Sequence, residues 1–316
     1  MIFKNVVLSV LITVVVSSIH AQTVKKPLPK KNIAQKNTLS GKIPRTLLWE
    51  ISGNGLRQPS YLFGTMHILC EQDAKLSENL KDAIRKSKKI YFEIDMDDMN
   101  EMMEALKHLR MNDGVKISDL LSKEEYAKLE AYFKKNKTPM PLSMLNRFKP
   151  YFISGLLSEQ MMDCEKKNGM ETLIMKEAGI HDRPIFGLET AAFQAGLFDS
   201  IPYEKQAKDL LQYIDSVDAY KKTTMEMVDV YRKQDLERMD SLTRKSDPGM
   251  SGYMDLLLYS RNRKWVQQMP SIMKEATMLF AVGAGHLPGD QGVIELLRQK
   301  GYTVKPIPNN WMSVSQ

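Results

Sequence analysis

Two short segments of this 316-residue chain carry residue types that can hold a metal ion and activate water. Gly64-Thr65-Met66-His67 and Gly283-Ala284-Gly285-His286 each place a histidine three residues after a glycine. Each follows an apolar run, Tyr61-Leu62-Phe63 or Met278-Leu279-Phe280-Ala281-Val282, and each precedes a stretch of helical spacing. A third run, Lys89-Ile90-Tyr91-Phe92, leads into Glu93. Two imidazoles and a carboxylate at neighbouring strand ends make a set with positions left open for water. A divalent ion held by His67, Glu93 and His286 would lower the pKa of bound water and polarise a carbonyl. Neither H-E-x-x-H nor C-x-x-C is present, so Mn, Co and Zn all remain candidates. On spacing alone, a histidine at a strand end serves as a turn residue or as a ligand. The repeat is what singles out the pair.

Two further groups fit around this set. Glu189, in Gly187-Leu188-Glu189-Thr190, is a second strand-end acid. It can cap the helix that follows, or act as general base or additional ligand. Arg261-Asn262-Arg263 reads first as a solvated helical face, and Arg261 alternatively as a partner of the acids or a stabiliser of an oxyanion. Asn262 is a candidate for orienting substrate. His108 and His181 sit among charged neighbours without a strand-end context and read as surface residues. The acids from Asp95 to Glu104 lack the central glycine of a calcium loop and suit a helix start. No phosphate-binding or dinucleotide-binding loop is present, and no nucleophile elbow.

Positioning these groups requires strands that end beside one another. The apolar runs predict strands at 47–51, 60–63, 89–95, 184–188, 278–282 and 302–304. Helical spacing covers 77–88, a segment opened by the Ser122–Glu125 capping box, 143–179, 190–197, 203–268 with a break near Asp247-Pro248-Gly249, and 290–299. These elements predict an α/β fold with a mixed central sheet, built from two β–GxxH–α–β units with a helical insert between them. Gly64 and Gly283 are expected to let the chain turn sharply at the strand ends. Most of the 22 methionines fall in the helices and read as core packing.

Charge narrows the partners. The net charge of +7 suggests nucleic acid, yet residues 1–45 hold eight of the 45 cations and no acid, leaving 37 cations against 38 acids in 46–316. The body is neutral, and nucleic acid is excluded as a partner. Lys4, the apolar run from Val6 to Val16 and the small residues up to Ala21 form an expected signal peptide at 1–21. Residues 22–45 form a basic flexible linker and 46–316 the α/β domain, exported to the periplasm or the exterior with no transmembrane span after cleavage. Cys70 and Cys164, the only cysteines, favour one disulfide in an oxidising compartment.

At these residues the chain resembles the TraB/GumN family, related to the Tiki proteins. Gly64-Thr65-Met66-His67 and Phe92-Glu93-Ile94-Asp95 are similar to its first blocks. Leu173 to Ala178, then Pro184 to Thr190 with Gln194, are similar to its middle block. Arg261-Asn262 and Val282 to Val293, closing with Gly301-Tyr302-Thr303-Val304, are similar to its last. Glu171 stands where the family pattern leads one to expect Asp. The resemblance implies a Tiki-like fold and metal-dependent hydrolysis, proteolytic in the Tiki branch, with His67, Glu93 and His286 as the metal and catalytic set. It also implies a peptide or protein substrate. Two alternatives remain open: a non-catalytic peptide- or metal-binding protein of the TraB type, or a hydrolase of small-molecule esters.

Overall fold

Alternating apolar strands and helices pair here into one six-stranded sheet in a computed structural model. It describes residues 44–311 apart from 137, 139 and 246–250. The expected signal peptide, nearly all of the linker and the Asp247-Pro248-Gly249 break lie outside the described residues. The strands are β1 (Leu48–Ser52), β2 (Ser60–Thr65), β3 (Leu69–Cys70), β4 (Lys89–Phe92), β5 (Lys167–Asn168), β6 (Ile185–Gly187), β7 (Met278–Gly283) and β8 (Thr303–Ile307). Numbering helices of seven residues or more gives α1 (Glu78–Lys86), α2 (Met99–Lys107), α3 (Lys123–Lys135), α4 (Pro150–Ser158), α5 (Met170–Ile180) and α6 (Ala191–Leu197). They continue with α7 (Tyr203–Asp215), α8 (Val217–Arg232), α9 (Leu236–Lys245), α10 (Ser260–Glu275) and α11 (Val293–Gln299). Among the described residues, no helix is long and apolar enough to cross a membrane.

The sheet order is β6-β4-β7-β2-β1-β8. Pairings β2–β7, β7–β4 and β4–β6 are parallel, while β1 is antiparallel to both β2 and β8. The mixed sheet expected from the sequence is therefore the one observed. Its register matters most. Thr65 lies opposite Gly283, and Phe92 opposite Ala281. His67, Glu93 and His286 thus leave the same edge of three adjacent strands, where loops of open α/β sheets converge. Parallel strands covered on both faces become continuous apolar runs. Accordingly every residue of β2 is buried, with Phe63, Phe92 and Phe280 at 0 to 1% exposure.

Local signals set most helix starts. The Ser77 side chain accepts from the Leu80 amide to open α1, and Ser122 with Glu125 forms the expected capping box of α3. Asp98 caps α2, which absorbs the acidic run. The helical pattern over 143–179 is not one helix. Pro150 starts α4 at its first turn, where a missing amide costs nothing, and the chain leaves helix after Met161. There β5 pairs with β3, and Cys164 forms a disulfide with Cys70, Cα to Cα 5.8 Å. Apolar periodicity carries no trace of that covalent constraint, so helical spacing alone runs on through it. Strand β4 also stops at Phe92, short of the Asp95 expected, so Glu93 lies just beyond the strand end.

Gly64 and Gly283 have a different task from the sharp turn expected of them. Neither takes a positive φ; Gly283 sits at φ −50°, ψ 134°. A Cβ on Gly64 would lie 3.0 Å from the Ala284 Cβ and 3.1 Å from Leu287 Cδ2. One on Gly283 would lie 3.1 Å from Glu93 Oε1. Glycine is needed because the two G-x-x-H loops and the Glu93 side chain approach so closely. Gly64→Ala is expected to cost about 1–3 kcal/mol of stability in urea melts, as overpacked sites do. Gly285→Ala, with no atom within 4 Å of its added Cβ, is the control. Equal losses in the two variants would contradict this packing account.

Candidate metal and hydrolytic site

A cavity of about 150 Å³ opens at the strand ends, and His67, Glu93, Arg261, His286 and Gln194 line its polar side. Glu189 and Asn262 stand behind this wall. The six residues singled out from the sequence are thus brought together, four on the cavity and two supporting them. Arg261 and Asn262 are buried at the start of α10, so the solvated face expected of the triplet applies only to Arg263, which pairs with Asp255 and Gln291.

Arg261 is the centre of the charge distribution. Its Nη2 lies 2.5 Å from Glu93 Oε2 and 2.5 Å from Glu189 Oε1, and its Nε donates to Glu189 Oε1 at 2.7 Å. Nη1 donates to the Leu257 carbonyl at 2.9 Å, and the guanidinium stacks 4.8 Å from the Trp265 ring. Trp265 Nε1 and Gln194 Nε2 donate to Glu189, at 3.1 and 2.8 Å. Gln194 also donates to Glu93 Oε2, and the Gly283 amide donates to Glu93 Oε1 at 2.8 Å. Capping of α6 falls to Thr190, whose side chain accepts from Phe193, leaving Glu189 free for Arg261. Burial raises the Glu93 pKa, but the charge of Arg261, then those of His286 and His67 once these are protonated, outweigh it and hold it to about 2.

The two histidines are oriented from behind. Asn262 Nδ2 donates to the carbonyls of His286 and Gln291, which turns its Oδ1 to His286 Nδ1 at 2.6 Å. Nδ1 of His286 therefore carries the proton and Nε2 the lone pair, 3.3 Å from Arg261 Nη1 and 3.6 Å from Glu93 Oε1. Burial, reinforced by the Arg261 charge, lowers the His286 pKa to about 3, so the ring is neutral. His67 Nδ1 meets Glu171 Oε1 at 2.7 Å, a close contact off ideal hydrogen-bond alignment. Burial pulls the His67 pKa down, but the Glu171 charge more than offsets it and the net shift is upward. In His286 Nδ1 is hydrogen-bonded and Nε2 is left, the usual state of a metal-ligating imidazole, whereas His67 Nδ1 only faces the Glu171 carboxylate.

That donor chemistry fits a divalent ion. The side chains as they stand are not drawn around one. Of the two histidines only His286 comes close to Glu93, His67 pairing instead with Glu171. Among the described residues, no three His, Cys, Asp or Glu side chains are grouped to hold one ion.

Sequence reasoning missed three supports. Trp265 is four residues after Arg261 on one helix face, a spacing that could have flagged it. Gln194 appeared only through the family resemblance. Glu171 was noted as an altered acid, but nothing in its spacing ties it to His67. The tie is made by β3–β5 and by the Met170 amide donating to the Met66 carbonyl at 3.1 Å.

The site and fold define a strand-end charge cluster in an α/β domain, and comparison with known proteins supplies the family. Residues 47–306 match the TraB/PrgY/gumN family model, and the chain belongs to that family. It is similar to the zebrafish (Danio rerio) Metalloprotease TIKI1, 24% identical over 83% of this chain and 63% of the relative. It is likewise 22% identical to human Metalloprotease TIKI1, over 83% of this chain and 62% of that protein. The Xenopus tropicalis Metalloprotease TIKI2 is 22% identical over 83% and 60%. The chain spans a little under two thirds of the length of these relatives. No solved structure matches it.

Two outcomes follow from the electrostatics. Arg261→Met leaves two buried carboxylates without their cation and is expected to cost about 3–5 kcal/mol in chemical denaturation. Adding Glu93→Gln and Glu189→Gln to that variant should restore part of the loss, and no recovery would contradict the charge balance described. The histidines give opposite pH dependences. His286, lowered to about 3 in the fold, adds stability that is complete above its ordinary value of 6.5 and lost as pH falls toward 3. His67, raised, adds stability that is complete below its ordinary 6.5 and lost as pH rises through its folded value. In metal-free protein, His286→Gln should flatten the stability slope between about pH 6 and 4 by up to about 1.4 kcal/mol per unit. An unchanged slope would contradict a neutral buried His286.

Proposed function

We propose that this chain is an exported, metal-dependent hydrolase that cuts peptide bonds with activated water. The single observation that carries the reading is the convergence of His67, Glu93 and His286 on one cavity, with His286 Nδ1 held by Asn262 and His67 beside Glu171. Similarity to proteins named metalloproteases supports it. His67, Glu93 and His286 would hold the ion, which would supply polarisation of a bound water and of the scissile carbonyl.

The chain's own residues define the remaining roles. Arg261 places a fixed positive charge on the cavity wall, suited to the oxygen of a substrate carbonyl as it gains charge. Glu93, ionised at any physiological pH, suits ligation and charge balance. Of the two acids considered for proton transfer, Glu93 reaches the cavity and Glu189 does not. Asn262 acts through His286, whose tautomer it sets, and Gln194 bridges the two acids. The Cys70–Cys164 disulfide supports an oxidising compartment, periplasmic or extracellular.

A second reading, peptide binding without turnover, is favoured by the Arg261–Glu93 pair, which already satisfies the carboxylate. The two separate cleanly. Protein stripped of metal and reloaded with Mn²⁺, Co²⁺ or Zn²⁺ is expected to cleave a peptide library only when loaded. His67→Ala and His286→Ala should each lose at least about 100-fold. Peptides recovered intact by mass spectrometry after long incubation with every metal would leave the binding reading standing.

A further inference from the structure

Much of the lining of the same cavity is apolar. Met66, Met162, Met227 and Met239 line it, together with Phe198 and Leu258. They come from the loop after β2, the segment after α4, α8, α9, the turn after α6 and the stretch before α10. Apart from His67, Glu93, Arg261 and His286, no side chain lining the cavity is ionisable within the physiological range. At the sequence level these methionines read as core packing. Met162, Met227 and Met239 do pack in the core, and with Met66 they also border open space beside the candidate reacting groups. Methionine is unbranched and polarisable, and it adjusts its shape to whatever apolar group it meets.

The volume sets the occupant. The whole cavity, its charged residues included, measures about 150 Å³, the size of an apolar cavity known to take up benzene, so its apolar part holds at most one medium-sized side chain. It admits one leucine, methionine or phenylalanine side chain, and is small for an indole. A lysine or aspartate side chain against the methionines would lose its water there, since Arg261 and Glu93 already pair with each other. Glycine would leave the space unfilled.

We propose that this methionine-lined chamber is a specificity pocket, which seats a Leu, Met or Phe side chain next to the bond presented to His67, Glu93 and His286. The proposal rests on the peptidase reading for the word bond, and on the cavity alone for the preference. Burying such a side chain favours it over glycine or a charged residue by about 10- to 100-fold.

Binding measured without turnover separates the two claims. The full chain, kept free of metal with a chelator, is titrated calorimetrically with short alanine-based peptides carrying Phe, Met, Leu, Trp, Gly, Asp or Lys at one position. Phe, Met and Leu peptides should bind at least tenfold tighter than Gly, Asp and Lys peptides, with Trp weaker than Phe. In protein carrying ¹³C-methyl methionine, the Phe peptide should shift the methyl signals of Met66, Met162, Met227 and Met239. It should leave those of the exposed Met99, Met103 and Met144 in place. This readout needs no variant to fold. Equal affinities across the series, or shifts confined to the exposed methyls, would overturn the pocket. Preference in binding with no cleavage under any metal would sustain the pocket and remove the peptidase. Cleavage without preference would do the reverse.

Discussion

The structure turns on one buried guanidinium. Arg261 reaches from the start of α10 to Glu93 beyond β4 and Glu189 beyond β6, and its Nη1 touches His286 beyond β7. Three strand ends are therefore tied to a single cation. Two carboxylates taken out of water at this depth are costly unless a charge and hydrogen bonds answer them. Here Gln194, Trp265 and the Gly283 amide complete what Arg261 begins. The glycine at 283 follows from the same demand, because a side chain there would crowd the Glu93 carboxylate.

Around that fixed charge the two histidines are set differently. His286 is buried, neutral and locked by Asn262. His67 lies beside an acid and is biased toward the proton. The Glu171 that biases it arrives by a long route. β5 pairs with β3, the Cys70–Cys164 disulfide joins the same two segments, and α5 begins next to them. Local covalent and ladder bonds thus place a residue of the helical insert against the first G-x-x-H loop. The candidate site is assembled by packing between the two strand-end units and by the insert that separates them in sequence.

Much of this was legible beforehand. The repeat of strand, glycine and histidine marked the paired units, and β-branched and aromatic runs marked every strand of the main sheet. Cap residues such as Ser77 and Ser122 marked helix starts because their hydrogen bonds are local. What stayed hidden was long-range. The helical spacing over 143–179 concealed the extended stretch that the disulfide imposes. The burial of Arg261 could not be read from a triplet whose composition is that of a solvated face. Gly64 was read as a turn, while its actual constraint is Ala284, far along the chain. The pairing of Glu171 with His67 likewise has no periodic signature.

His67 and His286 line one shared cavity, His286 with Nδ1 held by Asn262 and Nε2 bearing the lone pair, and His67 beside Glu171. Long-range ¹H–¹⁵N correlation spectra of the histidine rings, recorded near neutral pH with and without Zn²⁺, test this arrangement most directly. The expected result is a neutral, Nδ1-protonated His286 and metal-induced shifts at Nε2 of both His67 and His286. An Nε2-protonated His286, or zinc shifts that reach only one of the two rings, would contradict it.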